Sequence, residues 1–439
     1  MLSINFIKEN EAEVRRAIFE KKVDLDLNRL FALNAEKKEL LKIIEQLRSE
    51  KKNLFDNNSI AKEEKPGKIQ QGKLLKNKLA ELEPQYAQME KEFINLMVLV
   101  PNITSPDTPT GKDDKDNVEI FRSKEIPKFS FVPKNHIQLG KTLNILDLER
   151  GSKVAGYRGY YVMNEGVSLM LGFMMYAMNK MIINGFSPMI VPTLVNGSTL
   201  FGSGYFKGSE YNSDVDDIYE VTGLNKEKDK NANEKMQFLV GTAEPSLLSY
   251  YAGETLDESL LPLKMCGFSQ CYRREIGSYG KFNQGIYRVH EFMKVEQVII
   301  LKANVEEANY LQNEMIKLSA EMHKELEIPY RQIQICTGDM GLGKYRMFDI
   351  EAWMPGLNYW GETGSASNFL DWQSRRLNVR YQASDGKKKH VFMLNNTALP
   401  SPRIFIALLE NHQQKDGSII IPEVIKNFMP VKYDIIRNK

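Results

Sequence analysis

The chain has 439 residues, 42% of them hydrophobic, which suits two domains with a large core rather than one small domain. Its formal net charge is only +2, which excludes a global polycation that holds nucleic acid by charge alone, so any basic patch must be local. Three oddly spaced cysteines (Cys266, Cys271 and Cys336), five scattered histidines and the lack of a Cys-x-x-Cys pair exclude a disulfide framework and argue against a zinc site.

Met1 to Asn10 lacks a basic region followed by an apolar run and does not read as a secretory signal. No apolar run reaches membrane length. A cytoplasmic chain with reduced thiols and no membrane contact is expected. From about Asp26 to Val100 there is no strand pattern. Leu33, Leu40, Leu47 and Leu54 recur at heptad spacing, and Leu75, Leu79, Leu82, Tyr86, Met89, Phe93, Leu96 and Val100 alternate steps of four and three. Both are coiled-coil seams. Asp56-Asn57-Asn58-Ser59 and Lys65-Pro66-Gly67 lie between them and read as a breaker-rich turn. Two helices then fold back on each other, each on the order of 40 Å long at about 1.5 Å per residue. Towards the tip Arg48, Lys51, Lys52, Lys62, Lys65, Lys68, Lys73, Lys76 and Lys78 outnumber the acids. A dimerisation coil, a spacer or an ordinary solvated face would present the same pattern. Pro84 sits inside the second helix and should kink it.

Pro101-Asn102 ends the arm, and residues 103–135, polar and with several prolines, read as a linker. A body of mixed α and β follows from about 136. A helix from Glu165 to Ile183 leads into Gly185-Phe186-Ser187-Pro188-Met189-Ile190-Val191-Pro192; pattern alone makes these an ordinary buried helix and edge strand. Residues 224–236, dominated by Lys, Asn, Asp and Glu, read as a mobile surface loop. The stretches Gly267 to Gly277 and Gly285 to Glu296 read as two antiparallel strands joined by a loop of about ten residues. Arg273 and Glu275 end the first strand, while Phe292 and Glu296 lie on the second. Buried Arg and carboxylate side chains are costly unless they meet charged ligands, so this surface suits a nucleoside triphosphate. No phosphate-cradling Gly-x-x-x-x-Gly-Lys segment followed by Ser or Thr occurs, so ATP would not be held in the P-loop manner.

This hairpin resembles motif 2 of the class II aminoacyl-tRNA synthetases, and within them the seryl-tRNA synthetases. Thr242-Ala243-Glu244 resembles that family's serine-binding triplet. Glu362-Thr363-Gly364-Ser365, then Ser367-Asn368, Asp371 and Gln373-Ser374-Arg375-Arg376, are similar to its metal and ATP segment. Asn395 to Arg403 followed by Leu408-Leu409-Glu410-Asn411 resembles motif 3, and the Glu165 helix with its strand and proline resembles motif 1. The similarity runs from near residue 1 to near residue 430.

The resemblance implies an α+β fold: a class II catalytic domain with a central antiparallel sheet flanked by helices, behind an N-terminal antiparallel coiled-coil arm. It divides the chain into a tRNA-binding domain at 1–102, a linker at 103–135 and a catalytic domain at 136–439. It implies a homodimer joined through motif 1. The activity would be formation of seryl-adenylate from L-serine and Mg-ATP, then transfer to the 3′ end of tRNA(Ser). The tRNA for selenocysteine is a further substrate that the same arm leaves open.

The resemblance also assigns roles. Arg273 would bridge the α-phosphate and the substrate carboxylate, a task suited to its two-pronged guanidinium. Arg274, Glu275 and Val289 would contact the nucleotide, Glu275 through the adenine amino group and Val289 through its backbone. Phe292 would stack on one face of the base; Arg403 would cover the other and reach the γ-phosphate. Glu362, Thr363, Gly364 and Ser365 would line the phosphates, with Glu362 and Ser365 on magnesium, a hard ion that prefers oxygen ligands. Thr242, Ala243, Glu244, Glu296 and Thr397 would hold serine. Arg273, Glu296 and Arg403 would be the catalytic set. Activating a carboxylic acid this way needs two anions held together and developing charge stabilised, with no enzyme nucleophile. The chain departs from the family pattern at Arg274, Pro245-Ser246, Ala366, Asn396 and Pro400-Ser401-Pro402. The prolines beside Arg403 put the nucleotide geometry in question. Two rivals are a relative that loads a carrier protein or small molecule, marked by loss of the arm, and an inactive interaction protein, marked by loss of Arg273, Glu296 or Arg403. The arm and all three residues are present. A specialised second copy fits the same residues.

Overall fold

The computed structural model describes residues 1–55, 65–123, 126–221, 236–277 and 284–438. The expected breaker turn at Asp56–Ser59, Lys62, nearly all of the loop at 224–236 and part of the hairpin loop lie outside the described residues; Lys65-Pro66-Gly67, expected to belong to that turn, instead opens the second long helix, where a proline in the first turn has no hydrogen bond to lose. Two long helices, α1 (Leu27–Phe55) and α2 (Lys65–Leu99), pack along their seams. Leu33, Leu75, Leu79 and Val100 are buried, as is Ile44, which the heptad of leucines passes over. The ion pairs Arg29–Glu92, Lys37–Glu90 and Arg48–Glu83 run up one helix and down the other, as an antiparallel hairpin requires. Pro84 lies within one continuous α2.

The root of the arm is seated on the body. Leu27, Leu30, Met97 and Val100 form one cluster with Phe369 and Trp372. Asn102 donates to the carbonyls of Gly343 and Phe369 (3.1 and 2.9 Å), and Arg376 donates to the Val98 carbonyl (3.1 Å) while lying 3.7 Å over the Trp372 ring.

The body is built on an eight-stranded sheet. Its strands are β1 (Val118–Arg122), β2 (Ser187–Ile190), β3 (Leu263–Tyr272), β4 (Glu291–Leu301), β5 (Tyr330–Gln334), β6 (Arg346–Met354), β7 (Tyr359–Asn368) and β8 (Phe392–Pro400). The order is β1-β5-β6-β7-β8-β4-β3-β2, antiparallel throughout except for β2 beside β3. The segment read as a linker therefore contributes the edge strand β1, paired with β5.

Strand alternation sorts the side chains between two faces. Along β4, Val295 and Ile299 join the large core with helices α3 (Glu165–Ile183), α4 (Val305–Glu325) and α5 (Ser401–Asn411). Gln297 donates to Ser319 of α4 at 3.1 Å. Phe292, Lys294 and Glu296 alternate with these and line the opposite face, where the cleft lies. Helix α4 starts at the Asn304 cap, whose side chain accepts from the Glu307 amide, with Glu306 and Glu307 in its first turn and Lys324 in its last, matching the helix dipole at both ends.

Helix α3 corrects the expectation about apolar runs. Its 19 residues are long and apolar enough to cross a membrane, but most of the stretch is buried within the protein. Leu169, Phe173, Met174, Ala177 and Met181 face the core, so the run serves packing.

Candidate active site

The site begins with the hairpin. Ladder pairing ends at Tyr272 opposite Glu291, so the connecting loop spans 273–290 and is longer than the sequence suggests. Arg273 and Glu275 stand just beyond the strand, not on it. Glu275 has a positive φ of 54°, strained for a residue with a side chain. Its conformation is held from two sides: Arg158 donates to its carbonyl at 3.3 Å, and Arg288 pairs with its carboxylate at 2.8 Å. Burial alone would raise the Glu275 carboxyl, but the Arg288 pair outweighs it and holds the group below the usual range.

Arg273 lies against Gly241, donating from Nε to its carbonyl at 3.2 Å, and its guanidinium sits 5.4 Å over the Phe292 ring. A Cβ at Gly241 would press the Arg273 Cγ at 3.4 Å. Arg403 enters from the first turn of α5. It donates to the Glu362 carbonyl at 2.8 Å, pairs with the Glu362 carboxylate at 3.2 Å and lies 4.6 Å over the Tyr287 ring. Burial would raise Glu362, but Arg403 and then Arg273 reverse the shift and keep it low. Val289 is buried in the wall of the cleft.

The Glu296 end of the cleft is a cavity of about 650 Å³. Glu296, on β4 directly opposite Thr397 of β8, is its centre. One oxygen, Glu296 Oε2, accepts from Thr242 Oγ1 (3.1 Å) and Thr397 Oγ1 (3.4 Å) and meets Lys294 Nζ at 2.6 Å. Thr242-Ala243-Glu244 reaches this place because β3 has Gly267 opposite Glu296; a Cβ there would meet Ala243 at 2.9 Å. Glu244 is held by Tyr205 (2.9 Å) and Gln373 (2.8 Å). Burial first and the neighbouring Glu296 second raise its carboxyl above the usual range. Arg273, Lys294, Glu362 and Thr397 border both the pocket under Phe292 and Arg403 and this cavity, so the two form one cleft.

Most expected residues converge, with three exceptions. Arg274 turns away: its guanidinium donates to the carbonyls of Ser213 (2.5 Å) and Asp216 (3.5 Å) and is not in the cleft wall, because neighbours in an extended segment point to opposite sides. Thr363 alternates away from Glu362 in the same manner. Its hydroxyl meets the Ile350 carbonyl and His323 Nε2, which leaves only its backbone for the cleft. Ala243 is fully buried under the turn and has backbone alone to offer. The departures at motif 3 prove structural. Asn396 points to α4, donating to the Met315 carbonyl and Ser319 Oγ, both at 2.9 Å. Pro400 closes β8, Ser401 opens α5, and the Ser401 hydroxyl accepts from the Met293 amide at 3.0 Å. The first turn that carries Arg403 is thereby tied to the hairpin.

Sequence reasoning passed over Tyr205, Tyr287, Arg288, Lys294 and Asp349. Lys294 was legible, since it stands two residues from both Phe292 and Glu296 on one strand face. Asp349 was legible only through pairing, since it lies opposite Ser365 on β6.

Two family descriptions match the chain: the seryl-tRNA synthetase N-terminal domain over residues 1–104, and the class II tRNA synthetase core domain (G, H, P, S and T) over residues 219–412. A serine–tRNA ligase of Treponema denticola is 39% identical over 97% of this chain and 98% of its own. The crystal structure of the Pyrococcus horikoshii seryl-tRNA synthetase complexed with ATP superposes with a TM-score of 0.83 at 33% identity over 100% of both chains. The cytoplasmic serine–tRNA ligase of Naegleria fowleri in complex with AMP gives 0.82 at 26% identity, over 100% of this chain and 99% of that one. Matched at the arm and at the core, and similar to its relatives from end to end, the chain belongs to the seryl-tRNA synthetase family.

Proposed function

We propose that this cleft activates L-serine with ATP and passes the seryl group to the 3′ end of tRNA(Ser). The observation that carries the reading is the continuity of the cleft: cations stand between an end with an aromatic ring and Arg403 and an end whose centre is the Glu296 carboxylate. In the first step a serine carboxylate oxygen attacks the α-phosphorus. The bond to the bridging oxygen breaks, and pyrophosphate leaves with the electron pair. Arg273 is placed to hold both reacting anions, and Arg403 to neutralise the leaving group. In the second step a terminal ribose hydroxyl attacks the acyl carbon and AMP departs. Glu296, Thr242 and Thr397 would take the serine ammonium and hydroxyl. A site built to bond a substrate hydroxyl rejects the analogue lacking it by about 10⁴-fold, which would exclude alanine.

The residues fit magnesium. Glu362 and Ser365 offer hard oxygens. Beside them Asp349 Oδ1 is buried without a hydrogen-bond partner, and burial first, then Glu362, push its carboxyl well above the usual range. A cation there would relieve both. When bound, the ion would neutralise phosphate charge.

The basic arm is assigned to the tRNA, since double-stranded RNA is read mainly through shape and phosphate contacts. We take 1–102 as the tRNA-binding domain, 103–135 as a connection carrying β1, and 136–439 as the catalytic domain. A homodimer is proposed through the motif 1 face, where Met175, Ile182, Ile183 and Ile190 are exposed on α3 and β2. With these substrates we place the chain in the cytoplasm.

Exchange of pyrophosphate into ATP, assayed across the amino acids, tests the reading. Serine alone should support it, with magnesium required. Arg273→Ala should lower it by about 10² or more, the typical worth of one preorganised charge-stabilising donor. Near-normal exchange in that variant would remove Arg273 from the mechanism.

A further inference from the structure

Three cleft-facing residues step along β4 at every second position: Phe292, Lys294 and Glu296. At about 3.4 Å per residue the strand is a ruler with marks roughly 7 Å apart. On the reading above, Phe292 marks the base and Glu296 the amino acid's ammonium. The middle mark then falls where the α-phosphate and the serine carboxylate meet, and it is occupied by a lysine. Lys294 borders both ends of the cleft, and its side chain is only 6% exposed.

In this structure the lysine is turned to one side, with Nζ 2.6 Å from Glu296 Oε2. The same oxygen accepts from Thr242 and Thr397. Three donors on one carboxylate oxygen exceed its two lone pairs, and a substrate ammonium arriving at Glu296 would add a second positive charge beside the first. A buried ammonium without a counter-charge is strongly disfavoured, so Lys294 must exchange one anion for another.

We propose that Lys294 is an exchangeable cation. Without serine it neutralises Glu296. The serine ammonium takes its place there, and Lys294 swings onto the carboxylate and α-phosphate that react beside it. The amino acid thereby delivers the catalytic charge. This role rests on the site assignment above.

The consequence is a coupling between two ligands, measurable without turnover. The full-length protein is titrated with α,β-methylene ATP in the presence and absence of saturating serine. In the wild type, serine should tighten nucleotide binding at least 5-fold, the lower end of ordinary coupling between sites. K294Q should still bind serine, as tightly or more so, since the competing cation is gone. Its coupling should fall to within about twofold of none, and kcat for pyrophosphate exchange should drop about 10²-fold. E296Q provides the complementary arm. With no carboxylate to hold it, Lys294 should already favour the phosphates, so E296Q without serine should bind the nucleotide as tightly as the wild type does with serine.

A lysine that merely steadies Glu296 predicts the reverse. K294Q would then lose serine affinity tenfold or more with coupling and kcat intact, and E296Q would bind nucleotide no better than the wild type. Either result overturns the proposal, and the E296Q arm stands even where K294Q fails to fold. Absence of serine-dependent exchange in the wild type would sink the site assignment itself. Exchange in the wild type with no change of coupling in either variant sinks only the role of Lys294.

Discussion

At the residue scale, side chains that meet Glu296 should decide which amino acid is accepted. Thr397 faces it across the β4–β8 ladder, 3.4 Å from its oxygen. It cannot cap α5, which starts four residues later at Ser401. Thr397→Val keeps the shape and removes the hydroxyl. It should raise the KM for serine by the worth of a neutral hydrogen bond, about 0.5–1.5 kcal/mol, and narrow the gap between serine and alanine, with the KM for ATP little changed. Steady-state kinetics that show a large ATP defect and unchanged selectivity would move Thr397 into the nucleotide site. His323 makes a different prediction, about stability. Burial, partly offset by the Ser319 carbonyl, lowers its pKa from 6.5 to about 4. The unfolded chain therefore takes up a proton at a pH where the native ring refuses it. The ring's contribution is complete above pH 6.5 and is lost progressively as pH falls through 6.5 towards 4, to a limit of roughly 3 kcal/mol at about 1.4 kcal/mol per unit. His323→Gln should flatten the fall of Tm across that window whatever its effect on Tm at neutral pH. A variant that keeps the full wild-type slope would show that other groups set the acid limit.

At the element scale, the proposed division of work between arm and body does not fall at the arm's last residue. Every residue assigned to serine or ATP lies after residue 240, which suggests removing 29–100. The packing argues for a shorter cut. Met97 and Val100 share a core with Trp372, and Val98 borders the Glu296 cavity. Removing the root would expose that core and disturb the pocket. Excising 38–89 and closing the gap with a short loop leaves the root and the Arg29–Glu92 and Lys37–Glu90 pairs. Adenylate formation should then stay within a few-fold of the full chain, while tRNA charging falls by about 10² or more and the salt dependence of tRNA binding flattens as phosphate contacts are lost. Equal charging by the excised protein would give the arm another task. Trp372→Ala, by contrast, should cost about 3–5 kcal/mol as a buried large-to-small change and raise the KM for serine, because it unseats the arm from the cavity wall.

At the scale of the whole molecule, one surface asks for a partner. β2 ends the sheet with Ile190 91% exposed, and Ile183 at the end of α3 is 68% exposed. Ile190→Lys should move the protein towards a monomer in sedimentation, with exchange activity falling in step. A variant that sediments like the wild type would place the dimer contact elsewhere. The same scale separates what pattern tells from what folding decides. The arm was readable because a coiled-coil seam is local: leucines at heptad spacing describe their own contact. The strands of the hairpin were readable because alternation survives in one dimension, and Arg273, Glu296 and Arg403 were singled out through the family resemblance of their motifs. The ends of that hairpin were not, since where a ladder stops depends on what lies across it. Nor was the side to which Thr363 and Asn396 turn, which follows from packing against β6, β4 and α4, or the turn of Arg274 towards the Ser213 and Asp216 carbonyls. The strand in the presumed linker and the seat of the arm on Trp372 also had to await the fold. Each joins residues whose proximity comes from packing alone. Residue type and local period belong to the chain by itself; which face is buried, and which charge meets which, belong to the sheet that brings distant segments together.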